Sequence, residues 1–398
     1  MESAVDKTRF NAGLLSQCIQ KMFIAIRDLK FAKGRFFLMG FVVTLVAFLV
    51  IALSGMSAGL VKANISGLME LPATHIAFEY NDKPSYRQTM VERYMWEGWA
   101  EQDAVIAIAP MGHTVFNART EDDLPLEIAL WGIEPGAFVE PPITEGEGWG
   151  EVENGVIISG DLVNDGVRIG DTILLDRVLT ELKVIGITEE HRNIGHLPVV
   201  YALLPKWQEA TYGPPGGPPP GEKLPDIVFD FVSIIALQLA EGADIAALDD
   251  ELETTTLDRI GFYEASTGYK SEVQSVQMIQ GLLILISAVV LGAFFSIWTI
   301  QRTKEIGLVK ALGGSNWYLM RDALGQAILL IGVGTAFGLA GSLWLESAVR
   351  GTELPFMLPV GTVVGAVVIL FIAGMIGAAL SIKRISSIDP IIALGQGQ

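Results

Sequence analysis

The sequence predicts a membrane α-helical protein with four transmembrane helices and a large α+β extracytoplasmic domain between the first and second of them. Two observations carry this expectation. Four windows, 36–61, 273–301, 323–345 and 354–382, contain no Asp, Glu, Lys or Arg, and each exceeds the roughly 20 apolar residues that cross a bilayer as a helix. The charge is also segregated. The whole chain of 398 residues has a net charge of -18, yet the segment 62–272 alone holds 13 Lys+Arg against 37 Asp+Glu. The membrane part is therefore net basic and the inserted segment strongly acidic.

Orientation follows from the basic flanks, because cytoplasmic loops are enriched in Lys and Arg. Residues 1–35 carry seven basic residues, 302–322 carry four, and Lys383 and Arg384 follow the last span, whereas the loop 346–353 has only Arg350. Both termini are expected in the cytoplasm of a plasma-membrane protein, with the acidic domain outside. The first apolar run is too long for an ordinary cleaved signal peptide and is read as a retained span. Cys18, the one cysteine, falls on the cytoplasmic side, so the outer domain holds no disulfide and depends on its apolar core.

Taken in order, residues 14–35 place Leu15, Ile19, Met22, Phe23, Ile26 and Leu29 on one helical face with Lys21, Arg27 and Lys30 elsewhere, which predicts an amphipathic helix on the inner leaflet within the cytoplasmic segment 1–35. The first span ends in Gly55, Met56, Ser57, Ala58 and Gly59, a small-residue run that permits close approach. Beyond it, 63–75 gathers Met69, Glu70 and His75 at the membrane surface. In the outer segment, β-rich runs at 104–109, 127–133, 172–175, 183–187, 199–204 and 227–237 predict strands, and 242–258 reads as helix. Asp171 after Gly170 reads as turn chemistry, and the Pro-rich stretch 214–225 as an exposed loop. Gly334 and Gly338 in the third span, and Gly361 and Gly365 in the fourth, predict close helix packing.

The connector 302–322, RTKEIGLVKALGGSNWYLMRD, joins the second span to the third. Leu308, Leu312 and Trp317 recur at roughly helical spacing while Lys304, Glu305 and Lys310 leave a polar side, so an amphipathic helix broken by Gly313 and Gly314 is expected at the membrane face. Its wording, EIGLVKALGGS before a Gly-rich apolar helix, resembles the loop of the FtsX-like ABC-transporter permease domain. The run GVIISGDLVNDGVRIGDTILL with ELKVIGIT resembles the outer core of MacB-like permeases, and RISSIDPIIALG in the tail 383–398 resembles the family's closing motif.

The resemblance implies a permease without enzymatic activity of its own. Two copies of a cytosolic ABC ATPase would bind ATP and Mg and dock on the connector through Glu305, Leu308, Lys310 and Leu312, with Gly313 ending the helix, and a second permease copy would complete the complex in the bilayer. It further implies mechanotransmission, in which closure of the ATPase pair drives substrate away from the outer face. No intrinsic cofactor is expected. The sequence agrees in lacking GxxxxGK[ST], the phosphate loop of an ATPase. HExxH and CxxC are also missing, and His191 and His196, five apart, read as surface residues rather than metal ligands. The acidic domain repels nucleic acid.

Within the family, the substrate expectation is haem or a comparably amphiphilic toxic molecule. Met56, Met69, Glu70, His75 and Met278 are the ligand candidates, the haem iron being held by Glu70 and a Met, with Gly55, Ser57, Ala58 and Gly59 lining a slot for a flat ring. The bland alternative is that these methionines fill packing gaps. Other family members export lipids, lipoproteins or antimicrobial peptides, or regulate a cell-wall hydrolase without transport.

Overall fold

The computed structural model describes residues 33–382 apart from 151, 190, 191, 219–221, 302, 351 and 353. The amphipathic helix expected at 14–35 lies, but for its last three residues, outside the described residues, as does the tail 383–398. Two compact units result: Leu60–Gln274, and the remainder with the membrane helices.

Helix α1 (Lys33–Met69) runs without a break for 37 residues, longer than the charge-free window because Lys62 and Asn64 favour helix as readily as the apolar run before them. At 1.5 Å per residue it measures roughly 55 Å, well beyond the ~30 Å of hydrocarbon. Its last ten residues belong to the outer unit.

That unit begins with β1 (His75–Glu79), β2 (Val91–Glu92) and α2 (Arg93–Ala100), followed by the long β3 (Val105–Thr120) and β4 (Pro125–Ile133). β5 (Ile143–Gly146), β6 (Gly155–Ile158), the short α3 (Gly160–Asn164), β7 (Thr172–Leu175) and β8 (Glu181–Thr188) continue it. Between α3 and β7 the turn forms as the sequence suggests: Gly170 takes φ 98°, and the Asp171 carboxylate accepts the Arg168 N–H at 2.8 Å. Next come β9 (Asn193–Ile194), β10 (Leu197–Leu203) and α4 (Leu204–Tyr212), then β11 (Phe231–Val232), β12 (Ile234–Leu239), α5 (Ile245–Leu252), β13 (Thr254–Asp258) and α6 (Arg259–Glu264).

Nine strands form the main path of one sheet in the order β13-β1-β12-β3-β4-β10-β6-β8-β5. β3 serves three neighbours, pairing Val105–Met111 with β12, Gly112–Arg119 with β4 and Ala118–Thr120 with β7. Apolar residues on both faces build two cores. One centres on Trp99, Leu130, Val200 and Trp207, the other on Phe78, Trp131, Tyr201 and Phe262. Trp207 lies over the paired glycines Gly112 and Gly132, where a Cβ would strike its ring or stem.

Two expectations are corrected here. The segment 242–258 is helical only to Leu252; Glu253 adopts φ 53° and the chain turns into β13, because three successive threonines favour strand and both Thr254 and Thr256 hydroxyls donate to Asp249. The run 227–237 is likewise divided, a 3-10 turn at Asp226–Asp230 preceding β11 and β12.

The membrane unit continues with α7 (Tyr269–Gln301), α8 (Thr303–Ala311), α9 (Asn316–Val349) and α10 (Val360–Ile382). Residues 354–359 are not helical, with Pro355 and Pro359 excluding the segment from α10. The glycines of α9 act as expected: a Cβ at Gly334 would meet Val43 at 2.5 Å and one at Gly338 would meet Ala47 at 2.6 Å, so α9 lies directly on α1. In α10 the expected pair is wrong. Gly361 and Gly365 face open space, and the close approach is made by Gly377, whose Cβ would meet the Ala288 carbonyl at 2.7 Å.

Candidate functional site

The first candidate region lies toward the outer ends of α1 and α7. Ser54 and Gln280 join the two helices by a hydrogen bond of 3.4 Å. Met56 stands two residues outward from Ser54, and Met278 two residues outward from Gln280, so the two residues stand at about one depth along their helices. Neither fills a gap in the core of the chain, since Met56 is 43% and Met278 64% exposed, and Met69 is 46% exposed. Met56 also lines an open apolar pocket of about 290 Å³ with Leu345, Val349 and Phe356.

The pocket-lining expectation is corrected at its two glycines. A Cβ at Gly55 would meet Leu358 at 2.7 Å and Phe356 at 2.9 Å, and one at Gly59 would strike the Pro355 carbonyl. The Met357 N–H donates to the Gly55 carbonyl at 3.2 Å. The small-residue run therefore receives the chain's own 355–358 segment, not a flat ring, while Ser57 and Ala58 remain half-buried. Residues 55–59 also spell Gly-x-Ser-x-Gly, but they lie inside α1 and not at a strand-to-helix turn, so Ser57 is no nucleophile elbow.

Met69 and Glu70 stand at the outward end of α1. Met69 lies thirteen positions beyond Met56 on one unbroken helix, a rise of roughly 20 Å, so one iron is not shared between them within one chain. Glu70 is exposed, and its charge, after burial, helps to raise the pKa of both Tyr201 and Tyr263 above the ordinary value. His75 belongs to β1, registered between Leu237 and Asp258, and its Nδ1 lies 3.0 Å from the Thr74 hydroxyl. Among the described residues no three His, Cys, Asp or Glu side chains group as for a metal ion, and His191 lies outside them.

The second region is the connector. Ile306 is buried with Ala323 of α9, which pins α8 to the membrane unit. Leu308 and Leu312, one helical turn apart, point away from that contact and are 53% and 80% exposed. Gly313, at φ 90°, ends the helix; the Leu312 N–H donates to Leu308 and the Gly314 N–H to Val309, satisfying its last carbonyls. Ser315 then caps α9 by accepting the Tyr318 N–H at 3.2 Å. Glu305 lies in α8 and Lys310 in its last turn. The connector thus holds an exposed apolar pair out from an anchored, sharply terminated helix.

Four membrane-capable helices among the described residues, with a β-rich domain inserted after the first, fit a multi-pass permease. Residues 36–255 match the MacB-like periplasmic core domain and residues 278–390 the FtsX-like permease C-terminal domain. The chain belongs to this family of ABC transporter permeases. It is 26% identical over 377 residues to the putative hemin transport system permease protein HrtB of Staphylococcus epidermidis, covering 95% of this chain and 100% of that one. Similarity to the HrtB of Staphylococcus haemolyticus is 26% over 382 residues, covering 94% and 99% of the two chains. The macrolide export ATP-binding/permease protein MacB of Burkholderia cenocepacia is 25% identical over 243 residues, 57% of this chain and 34% of that one.

Proposed function

We propose that this permease is the membrane subunit of an ABC efflux pump that removes haem, or a comparably flat amphiphilic toxic molecule, from the outer leaflet. The observation that carries this reading is similarity along nearly the whole chain to proteins named as hemin permeases. The exposed Met56 and Met278 at one depth support it, because soft thioethers at the lipid boundary suit the axial positions of haem iron. Met69 and Glu70, further outward, form a second candidate level, where a carboxylate near hydrocarbon is costly unless it is paired or used. His75, held in β1, is the weakest of the five candidates. In a pair of permease copies each level would be presented twice.

The energy would come from two copies of a separate ATPase, which bind ATP and Mg and seat the Leu308 and Leu312 ridge. Their closure would drive the α8 helices together and pass the movement to the spans. The basic flanks support a plasma-membrane orientation with cytoplasmic termini and an extracytoplasmic acidic domain.

The deciding experiment is the Soret spectrum of the purified complex titrated with hemin. Parent protein should show a saturable shift, and either Met56→Ala with Met278→Ala or Met69→Ala with Glu70→Ala should weaken it at least tenfold. Unchanged spectra and affinity in both double variants would remove these residues from the iron. No hemin binding by the parent would turn the reading to a lipid, lipoprotein or peptide substrate, or to a regulator of a cell-wall hydrolase.

A further inference from the structure

The hairpin β9–β10 turns through Gly195 and His196, at φ 60° and 67°. Two successive left-handed residues make the tight two-residue turn that matches strand twist, but the second is not glycine, and a histidine held there is strained. Its side chain explains the position. His196 Nε2 lies 2.9 Å from the Glu272 carboxylate, which accepts only, so Nε2 carries the proton and donates. Glu272 occupies the first turn of α7, where a negative charge is favoured by the helix dipole.

The same carboxylate is held from the other side by α1. Asn64, completely buried, donates through Nδ2 to Glu272 Oε2 at 3.2 Å and to the Thr267 carbonyl at 3.4 Å. Its Oδ1 accepts from the Ser266 hydroxyl at 2.8 Å. The hairpin grips α1 independently: the Gly195 N–H donates to the Asn64 carbonyl at 2.8 Å, and the Asn193 N–H to the Ser66 hydroxyl at 2.9 Å. Gly67 lets the strands sit this close, since a Cβ there would lie 3.0 Å from the Asn193 carbonyl. Three stretches far apart in sequence thus meet on one carboxylate and one amide.

We infer that Asn64, His196 and Glu272 form a clamp by which the β9–β10 hairpin holds the outward end of α1 and the first turn of α7 as one body. A displacement driven at the cytoplasmic ends of these helices then reaches the outer domain through both at once. The clamp residues are positioning residues, and the inference rests on the permease reading but on no particular substrate. Among the described residues His196 and Asn64 hold the Glu272 carboxylate, so loss of His196 leaves it to Asn64. The hairpin keeps the bonds that its Gly195 and Asn193 N–H groups donate to α1 but loses its hold on α7.

The test is hydrogen exchange by mass spectrometry on the full chain in complex with its ATPase, nucleotide-free and trapped with ATP and vanadate. Without nucleotide, His196→Ala and Glu272→Ala should speed exchange in peptides covering 193–197 and 268–273 roughly tenfold, leaving β3 and β4 unchanged. His196→Gln, which retains an N–H donor, should stay near the parent. On trapping, protection in the outer domain should change in the parent and in His196→Gln but not in His196→Ala, although ATP hydrolysis persists. A merely structural staple would not separate hydrolysis from that response. Should His196→Ala fail to assemble, Glu272→Ala, which leaves the hairpin's bonds to α1 in place, carries the same readout. Unchanged exchange at both segments, or an intact nucleotide response in both alanine variants, overturns the clamp. A parent complex whose outer domain ignores nucleotide fails the ATPase-coupled reading itself, and transmission with it.

Discussion

His113 sits on β3 in the interior of the outer domain, facing the edge of Tyr86 at 5.7 Å and accepting the Trp131 indole N–H on Nδ1 at 3.1 Å. Burial, with a smaller contribution from Arg87, lowers its pKa to about 4. Protonation would also set an N–H against the indole donor. The folded state therefore keeps the ring neutral where the unfolded chain, near pKa 6.5, takes up a proton. Stability is fully present above about pH 6.5 and declines as pH falls toward 4, by up to about 3 kcal/mol. Melting of the full chain should drop by roughly 5 °C between pH 7 and pH 5 from this group. His113→Gln, whose amide oxygen still accepts the indole, should flatten that slope; an equally steep loss in the variant would assign the acid sensitivity elsewhere. A lone histidine in a β-rich run gives no sign of this in sequence, since the residues around it come from distant strands.

At the level of elements, the connector was the most legible part, because its amphipathic spacing and paired glycines are local signals. Sequence marks Leu308 and Leu312 as one ridge; the structure adds that Ile306 faces inward against Ala323 and so fixes which face is offered. Replacing Leu308 and Leu312 together by Asp should abolish stimulation of the ATPase, a loss of more than tenfold, with the far-ultraviolet circular dichroism of the permease unchanged. Stimulation at parental level in that variant would place docking elsewhere. The glycines were less legible. A small-residue run announces close packing but not its partner, so Gly55 and Gly59 read equally well as a slot or as the seat of Pro355–Leu358, and only the fold decides. The same holds for Gly377 against Gly361. Helix 242–258 was over-extended because acidic residues continue its pattern to Glu253, whereas the threonines beyond take their strand conformation from pairing with β1.

For the whole molecule, the four spans were readable because hydrocarbon imposes one simple rule on composition, and the acidic insertion because charge changes abruptly at its edges. The orientation inferred from basic flanks gives a direct expectation. In a background with Cys18 replaced by Ser, a cysteine at Ser85 should react with a membrane-impermeant maleimide on intact cells, and one at Ser315, exposed at the start of α9, only after permeabilisation. Reversed labelling would invert the assignment of sides. The clamp, by contrast, was hidden, since Asn64 meets His196 and Glu272 across separations of 132 and 208 residues.

The order of strands has a consequence for how the protein is made. β1 lies between β12 and β13, with His75 registered against Leu237 and Asp258, so the strand synthesised first waits for the last two. Chain emerging from the ribosome cannot close this sheet until nearly the whole insertion exists, and contacts of such high sequence separation form slowly. In the orientation expected from the basic flanks, the acidic segment would cross the membrane as an open chain and fold on the far side. Its many carboxylates keep that waiting chain extended and soluble. Truncation between Leu239 and Thr254 should leave β1 paired with β12 but open along the edge that β13 covers, a form exposed to proteases and to self-association.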